Sequence, residues 1–227
     1  MNQEIIGAAF KNTLDSLDTF LKWFLSIAVV IWWAGLIETD TIDVLELKIP
    51  KSNAFPVIGI IFVLFNVVFL LKLKRLHFLL QETNVEKRED IVCTLFTHEW
   101  VLNPFGMFHD RRSVSWLHNC HRSLIVIVWW LCNASLINLY YSFQASQIQL
   151  IICYAGILGA FLLIGLMSLS EIISIADTLY QFSGDVNSRR IKERLKSLHD
   201  IIKPVMIIGV IAGLIITLLM LKTTLKL

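Results

Sequence analysis

Long apolar stretches constrain this chain more than any other feature. The hydrocarbon core of a bilayer is about 30 Å thick, and a helix needs roughly 20 apolar residues to cross it. Five segments approach or reach that length: residues 20–37, 55–71, 123–143, 148–170 and 204–221. Charged residues make up only 17% of the 227-residue chain, and hydrophobic ones 56%. Globular domains carry closer to a quarter charged residues. The expected fold is therefore an all-α polytopic integral membrane protein, with about five transmembrane helices in one membrane domain over residues 1–227. Lys22 lies inside the first stretch, near enough to its end for the ammonium to snorkel to the headgroups.

Residues 1–19 (MNQEIIGAAFKNTLDSLDT) have neither the basic start nor the apolar core of a signal peptide. The first membrane helix is expected to direct insertion, with residues 3–19 forming a short amphipathic helix ahead of it.

Orientation follows from the lysines and arginines, which concentrate on the cytoplasmic side of membranes. Eight lie between Lys72 and Arg122, six between Arg189 and Lys203, and Lys11 and Lys22 precede them. Only Lys48, Lys51, Lys222 and Lys226 fall on the other side of a five-span arrangement. The N-terminus and the loops 72–122 and 171–203 are thus expected in the cytoplasm, and the C-terminus outside. Acidic residues nearly balance these cations, so no direct nucleic-acid partner is expected. One local excess survives, at residues 189–196 (RRIKERLK).

Both cytoplasmic loops read as helical extensions of the spans. Thr83-Asn84-Val85-Glu86 has capping-box spacing ahead of Ile91, Val92, Leu95 and Phe96. Asn103-Pro104-Phe105-Gly106 is a turn signal. Ser183-Gly184-Asp185 breaks the second extension, and Asn187 or Ser188 can cap the next helix. Ile191, Leu195, Leu198 and Ile202 then form one apolar stripe. Pro204 is expected to kink that helix at the membrane surface. On the outer side, TIDVLELKIP (41–50) alternates enough to suggest a short strand or hairpin. No internal repeat, low-complexity tract or separate soluble domain is expected.

Residues 109–122 (HDRRSVSWLHNCHR) place three histidines, a cysteine and an aspartate beside three arginines. On a helix His118 and His121 share a face, but Cys120 points elsewhere, and zinc needs three or four convergent ligands. The stretch therefore reads as the wet end of the third span. No metal and no cofactor is expected. The four cysteines read as small apolar residues rather than a disulfide framework.

Three groups of candidate functional residues remain. Gly209 and Gly213, with Ala155, Gly156, Gly159 and Ala160, are spaced for close helix packing, within the chain or between copies of it. Asn66, Asn133 and Asn138 are polar positions inside spans, suited to interhelical hydrogen bonds or to a pore. Arg189, Arg190, Lys192, Arg194 and Lys196 form a basic face for anionic lipid or an acidic protein. No nucleophile elbow, HExxH, Walker loop or di-iron pattern is present. Glu171 and Asp200 stand as single acids near the inner face.

The expectation is a non-enzymatic membrane subunit, an anchor, scaffold or sensor. Its partners are membrane lipid, other copies of the chain and a cytosolic protein. A bacterial inner membrane and a stress or antiphage system suit such a chain, on general plausibility rather than on a motif. The alternatives are a channel or pore-forming effector and, third, a metal-dependent membrane enzyme built on the histidine cluster.

Overall fold

The computed structural model describes residues 3–36, 41–44, 47–98, 105 and 147–225. Helix α1 (Gln3–Leu36) leads to a hairpin of β1 (Thr41–Val44) and β2 (Leu47–Pro50), then to α2 (Lys51–Gln81). A 3-10 turn (Val85–Lys87) opens α3 (Arg88–Thr97). Helices α4 (Gln147–Phe182) and α5 (Arg189–Leu225) follow. The fold is helical, as expected, with the anticipated hairpin closing antiparallel from Thr41↔Pro50 to Val44↔Leu47. Residues 20–36 of the first segment, and the segments 55–71, 148–170 and 204–221, lie in helices. The segment 123–143 lies outside the described residues.

The four long helices exceed what a bilayer needs. Even α2, at 31 residues, is roughly 46 Å long at 1.5 Å per residue. Among the described residues, two stretches, Pro56–Gln81 and Gly159–Phe182, are long and apolar enough to cross a membrane. Only 39% of the apolar window of each is buried in the chain. A core helix of a water-soluble protein would be mostly covered.

Burial explains how the helices pair. On α1, Ile6, Phe10, Leu14, Leu17, Leu21 and Phe24 recur at three- and four-residue spacing and are buried. That single stripe runs through the predicted amphipathic segment into the first apolar stretch, so one continuous helix forms. On α5, Leu195, Leu198 and Ile202 are buried and Ile191 packs against the core at its edge, which realises the predicted stripe. Ile91, Val92, Leu95 and Phe96 are likewise the buried face of α3.

The capping-box expectation at residues 83–86 is corrected. Thr83 is buried and its hydroxyl donates to the Leu79 carbonyl at 2.8 Å, back into α2. Asn84 makes no side-chain cap for the 3-10 turn either. Thr83 thus finishes α2 rather than starting α3. At the second turn Ser188 takes the cap position, its carbonyl accepting from the amides of Ile191 and Lys192 at 3.0 and 3.1 Å. Helix α5 continues through Pro204.

Helices α2 and α4 lie side by side and run parallel. Gly59 faces Ile157, Phe62 meets Phe161 with ring centroids 6.4 Å apart, and His77 reaches Glu171 and Thr178. Setting the two helices in register exposes a correspondence that reading along the chain misses. Upstream of α2, residues 26–33 read SIAVVIWW; upstream of α4, residues 123–130 read SLIVIVWW. Downstream, HEWVLNP begins at His98 and HDIIKP at His199. These paired segments recur at nearly the spacing that separates α2 from α4.

Candidate functional site

Polar side chains gather at one end of the bundle, where α1 and α5 begin and α2 and α4 end. The Gln3 amide donates to the Glu82 carbonyl at 3.4 Å, and the Asn84 amide donates to Gln3 Oε1 at 3.1 Å, which fixes the start of α1 against the end of α2. Hydrogen bonds and ion pairs then tie each neighbouring pair of elements.

His77, on α2, is the centre of the first tie. Its Nδ1 lies 2.5 Å from Glu171 Oε1, and its Nε2 lies 2.9 Å from Thr178 Oγ1 and 3.2 Å from Gln81 Nε2. An ionised carboxylate only accepts, so Nδ1 donates to Glu171. The order carboxylate, imidazole, hydroxyl is that of a hydrolase relay. Here, however, the hydroxyl also donates to the Ser174 carbonyl at 3.1 Å. Thr178 lies inside α4, where backbone N–H groups are spent on carbonyls four residues back. Among the described residues no backbone donors converge beside it to hold an oxyanion. The geometry suits a clasp between two helices.

The second tie joins α4 to α5. Asp177 Oδ1 lies 3.0 Å from His199 Nε2 and 2.9 Å from Lys203 Nζ. The ring of Tyr180 stacks on His199 with centroids 4.5 Å apart. Asp200 stands 3.5 Å from the other ring nitrogen. A third tie closes α3 onto α1, where His98 Nε2 meets Asp15 Oδ1 at 2.9 Å. The fourth joins the two turns. Arg88 donates to Asp185 and lies 4.4 Å over the Phe182 ring, while Glu89 accepts from the Asn187 amide at 3.0 Å. His77, His199 and Arg88 all meet the C-terminal part of α4, whose dipole favours positive charge there.

Two groups at this end have shifted proton affinity. Burial first, then the carboxylates of Glu89 and Asp90, push the Cys93 thiol above its ordinary range. Partial burial, then the neighbouring Arg190, lowers Arg194.

The candidate residues fall into place as follows. The stripe on α5 turns inward, so Arg189, Arg190, Lys192 and Lys196 point outward and are exposed, with Arg194 half-buried at the edge. Arg189 also pairs with Glu193 at 3.0 Å along its own helix. Asn66 is buried in α2, but its amide donates to the Phe62 carbonyl at 2.8 Å, within the same helix. Asn133, Asn138 and the stretch 109–122 lie outside the described residues. Gly156 and Gly159 are exposed on α4, with no described atom within 4 Å of where a Cβ would stand, and Ala160 is half-buried. Ala155 lies on α4, and Gly209 and Gly213 on α5.

The glycine at a close helix approach is one that spacing did not mark. A Cβ on Gly59 would stand 2.5 Å from Ile157 Cγ2. Gly59 has no small residue four positions away, so it belongs to no small-xxx-small pattern. Its partner is a large side chain on the next helix, which only three-dimensional pairing reveals. His77, Asp177 and His199 were missed for the same reason. Their partners lie on other helices, far away in the chain.

Among the described residues, no three His, Cys, Asp or Glu side chains form a set able to hold a metal ion. No protein-family model, curated protein or solved structure matches this chain.

Proposed function

We propose that this chain is an integral membrane subunit, a scaffold or sensor, whose cytoplasmic bundle docks a soluble protein through the basic face of α5. The observation that carries the membrane part is an outward apolar band. On α2, Ile60, Leu64, Val68 and Leu71 are exposed along one ridge; Leu163, Leu166 and Met167 on α4 and Ile207, Ile208 and Ile211 on α5 are exposed as well. Water-soluble monomers rarely leave contiguous apolar patches beyond a few hundred Å² uncovered. Lipid covers such a band at no cost. The five-span arrangement rests on the apolar segments and its orientation on the charge pattern, with the N-terminus and the tied end of the bundle in the cytoplasm and the β1–β2 hairpin outside.

The docking part rests on a contrast within the tied end. The inward polar groups are engaged with one another, whereas α5 turns four exposed cations outward. An acidic protein face complements them, and anionic lipid is the competing occupant. The exposed face of α4 at Gly156 and Gly159 suits self-association of the subunit. A bacterial inner membrane remains the proposed location. The pore reading draws less support, because Asn66 is buried and bonds to its own helix.

Reversal of charge at Arg189→Glu with Arg190→Glu tests the docking. In mild-detergent purifications the expected result is loss of a co-purifying soluble protein, with expression and oligomer size unchanged. If the unaltered chain repeatedly purifies alone, the docking proposal fails. If the reversal removes only dependence on acidic lipid, the face binds lipid instead.

A further inference from the structure

A cleft lies between α1, α2 and α4, just on the apolar side of the polar ties. It is lined chiefly by Phe20, Phe24, Phe65 and Phe69, with Asn66 and Ser168 as its polar members. Its volume is about 30 Å³, and it is partly open. Each polar member makes a hydrogen bond within its own helix. Asn66 donates to the Phe62 carbonyl at 2.8 Å, and the Ser168 hydroxyl donates to the Ile164 carbonyl at 2.9 Å. The rest of the lining is apolar, four phenyl rings among it, and such a cleft suits hydrocarbon.

Polarity changes one helical turn further along the same two helices. Ser16 lies one turn before Phe20 on α1, and Lys72 one turn after Phe69 on α2, and the Lys72 ammonium donates to the Ser16 hydroxyl. Among the described residues no carboxylate lies within ion-pair distance of Lys72. The nearby Asp18 is itself held by Lys22 at 2.5 Å. The half-buried Lys72 ammonium thus has a neutral hydroxyl as its described partner, and an anion would complement it.

We propose that this cleft binds one acyl chain of an anionic membrane phospholipid, with its phosphate on Lys72 and Ser16. The inference rests on the membrane reading above and goes beyond it, because it assigns a specific lipid site to a place that the basic face of α5 does not include.

The test uses the full chain in phosphatidylcholine nanodiscs doped with a phosphatidylglycerol that carries a diazirine in its acyl chain. Phosphatidylcholine with the same diazirine chain is the control probe. Mass spectrometry is expected to place phosphatidylglycerol adducts on the cleft residues Phe20, Phe24, Phe65, Phe69, Leu169 and Ile172 in excess over the control. Lys72→Gln keeps a donor for Ser16 and removes the charge; it is expected to cut that excess roughly five-fold, the worth of one basic residue at the surface. Ser168→Leu fills the cleft and is expected to remove cleft adducts of both probes while those on Leu64 and Val68 persist. Adducts spread equally over cleft and outer ridge, with either lipid and either variant, would overturn the site and leave the membrane reading standing. A chain that does not enter nanodiscs at all would overturn both.

Discussion

His77 holds Glu171 across the α2–α4 seam at 2.5 Å, with each side chain only 17% exposed. The two residues sit where the parallel helices leave the apolar band. This pairing therefore couples the apolar part of the seam to the ties at Asp177 and Arg88. Glu171→Gln keeps the shape and removes the charge. It is expected to cost about 1–2 kcal/mol, the range for a hydrogen bond to a charged group in a partly wet setting. Thermal unfolding in detergent measures it. His77→Gln in the same background is expected to add much less than it does alone, since contacting residues do not act additively.

Gly59 and Ile157 give a second test of the same seam. Gly59→Ala places a methyl 2.5 Å from Ile157 Cγ2, and overpacking of this kind costs roughly 1–3 kcal/mol. Ile157→Ala removes the opposing methyl. The double variant is expected to recover most of the loss, whereas Ile157→Ala alone opens a gap and destabilises. If Gly59→Ala leaves the melting temperature unchanged, the helices are not this close.

Much of this arrangement was legible in the sequence. The apolar stripe at Leu195, Leu198 and Ile202 and the buried face at Ile91, Val92, Leu95 and Phe96 follow helical periodicity, which is a local property. The break at residues 183–185 and the hairpin at Thr41–Pro50 are also written locally. What was not legible is pairing between helices. Nothing near His77 in the chain points to a carboxylate at position 171, and Gly59 lacks the spaced partner that would flag it. Thr83 shows the opposite error. Its capping-box spacing is genuine, but the hydroxyl found a carbonyl in the preceding helix, a competing use that serine and threonine always have.

Cys93 provides a pH prediction. Burial and the acids Glu89 and Asp90 raise its proton affinity, so the neutral thiol persists to higher pH than in a free cysteine. Alkylation at pH 7.5, followed by peptide mass spectrometry, is expected to be slower than for the same residue in unfolded chain. The rate should climb only as pH passes above the ordinary thiol range. Glu89→Gln with Asp90→Asn is expected to speed it, though less than unfolding does, because burial is the larger cause.

The Arg88 contact predicts how the two turns behave. Arg88→Ala removes both the Asp185 bond and the contact over Phe182. Amide hydrogen exchange is expected to quicken in residues 183–188 and 84–89, with little change at Leu195 or Leu198. Arg88→Lys keeps the charge but not the planar fork, and is expected to restore protection only in part.

The central claim is that the exposed apolar band lies in a membrane and the tied end faces the cytoplasm. Single cysteines at Lys48, exposed on the β1–β2 hairpin, and at Ser183, in the turn after α4, test it most directly, in a chain whose native cysteines are replaced by serine. With a membrane-impermeant maleimide, the account predicts that Lys48→Cys is labelled in intact cells and Ser183→Cys only after the membrane is opened. Reversed labelling, or equal labelling of both in the soluble fraction, would contradict it.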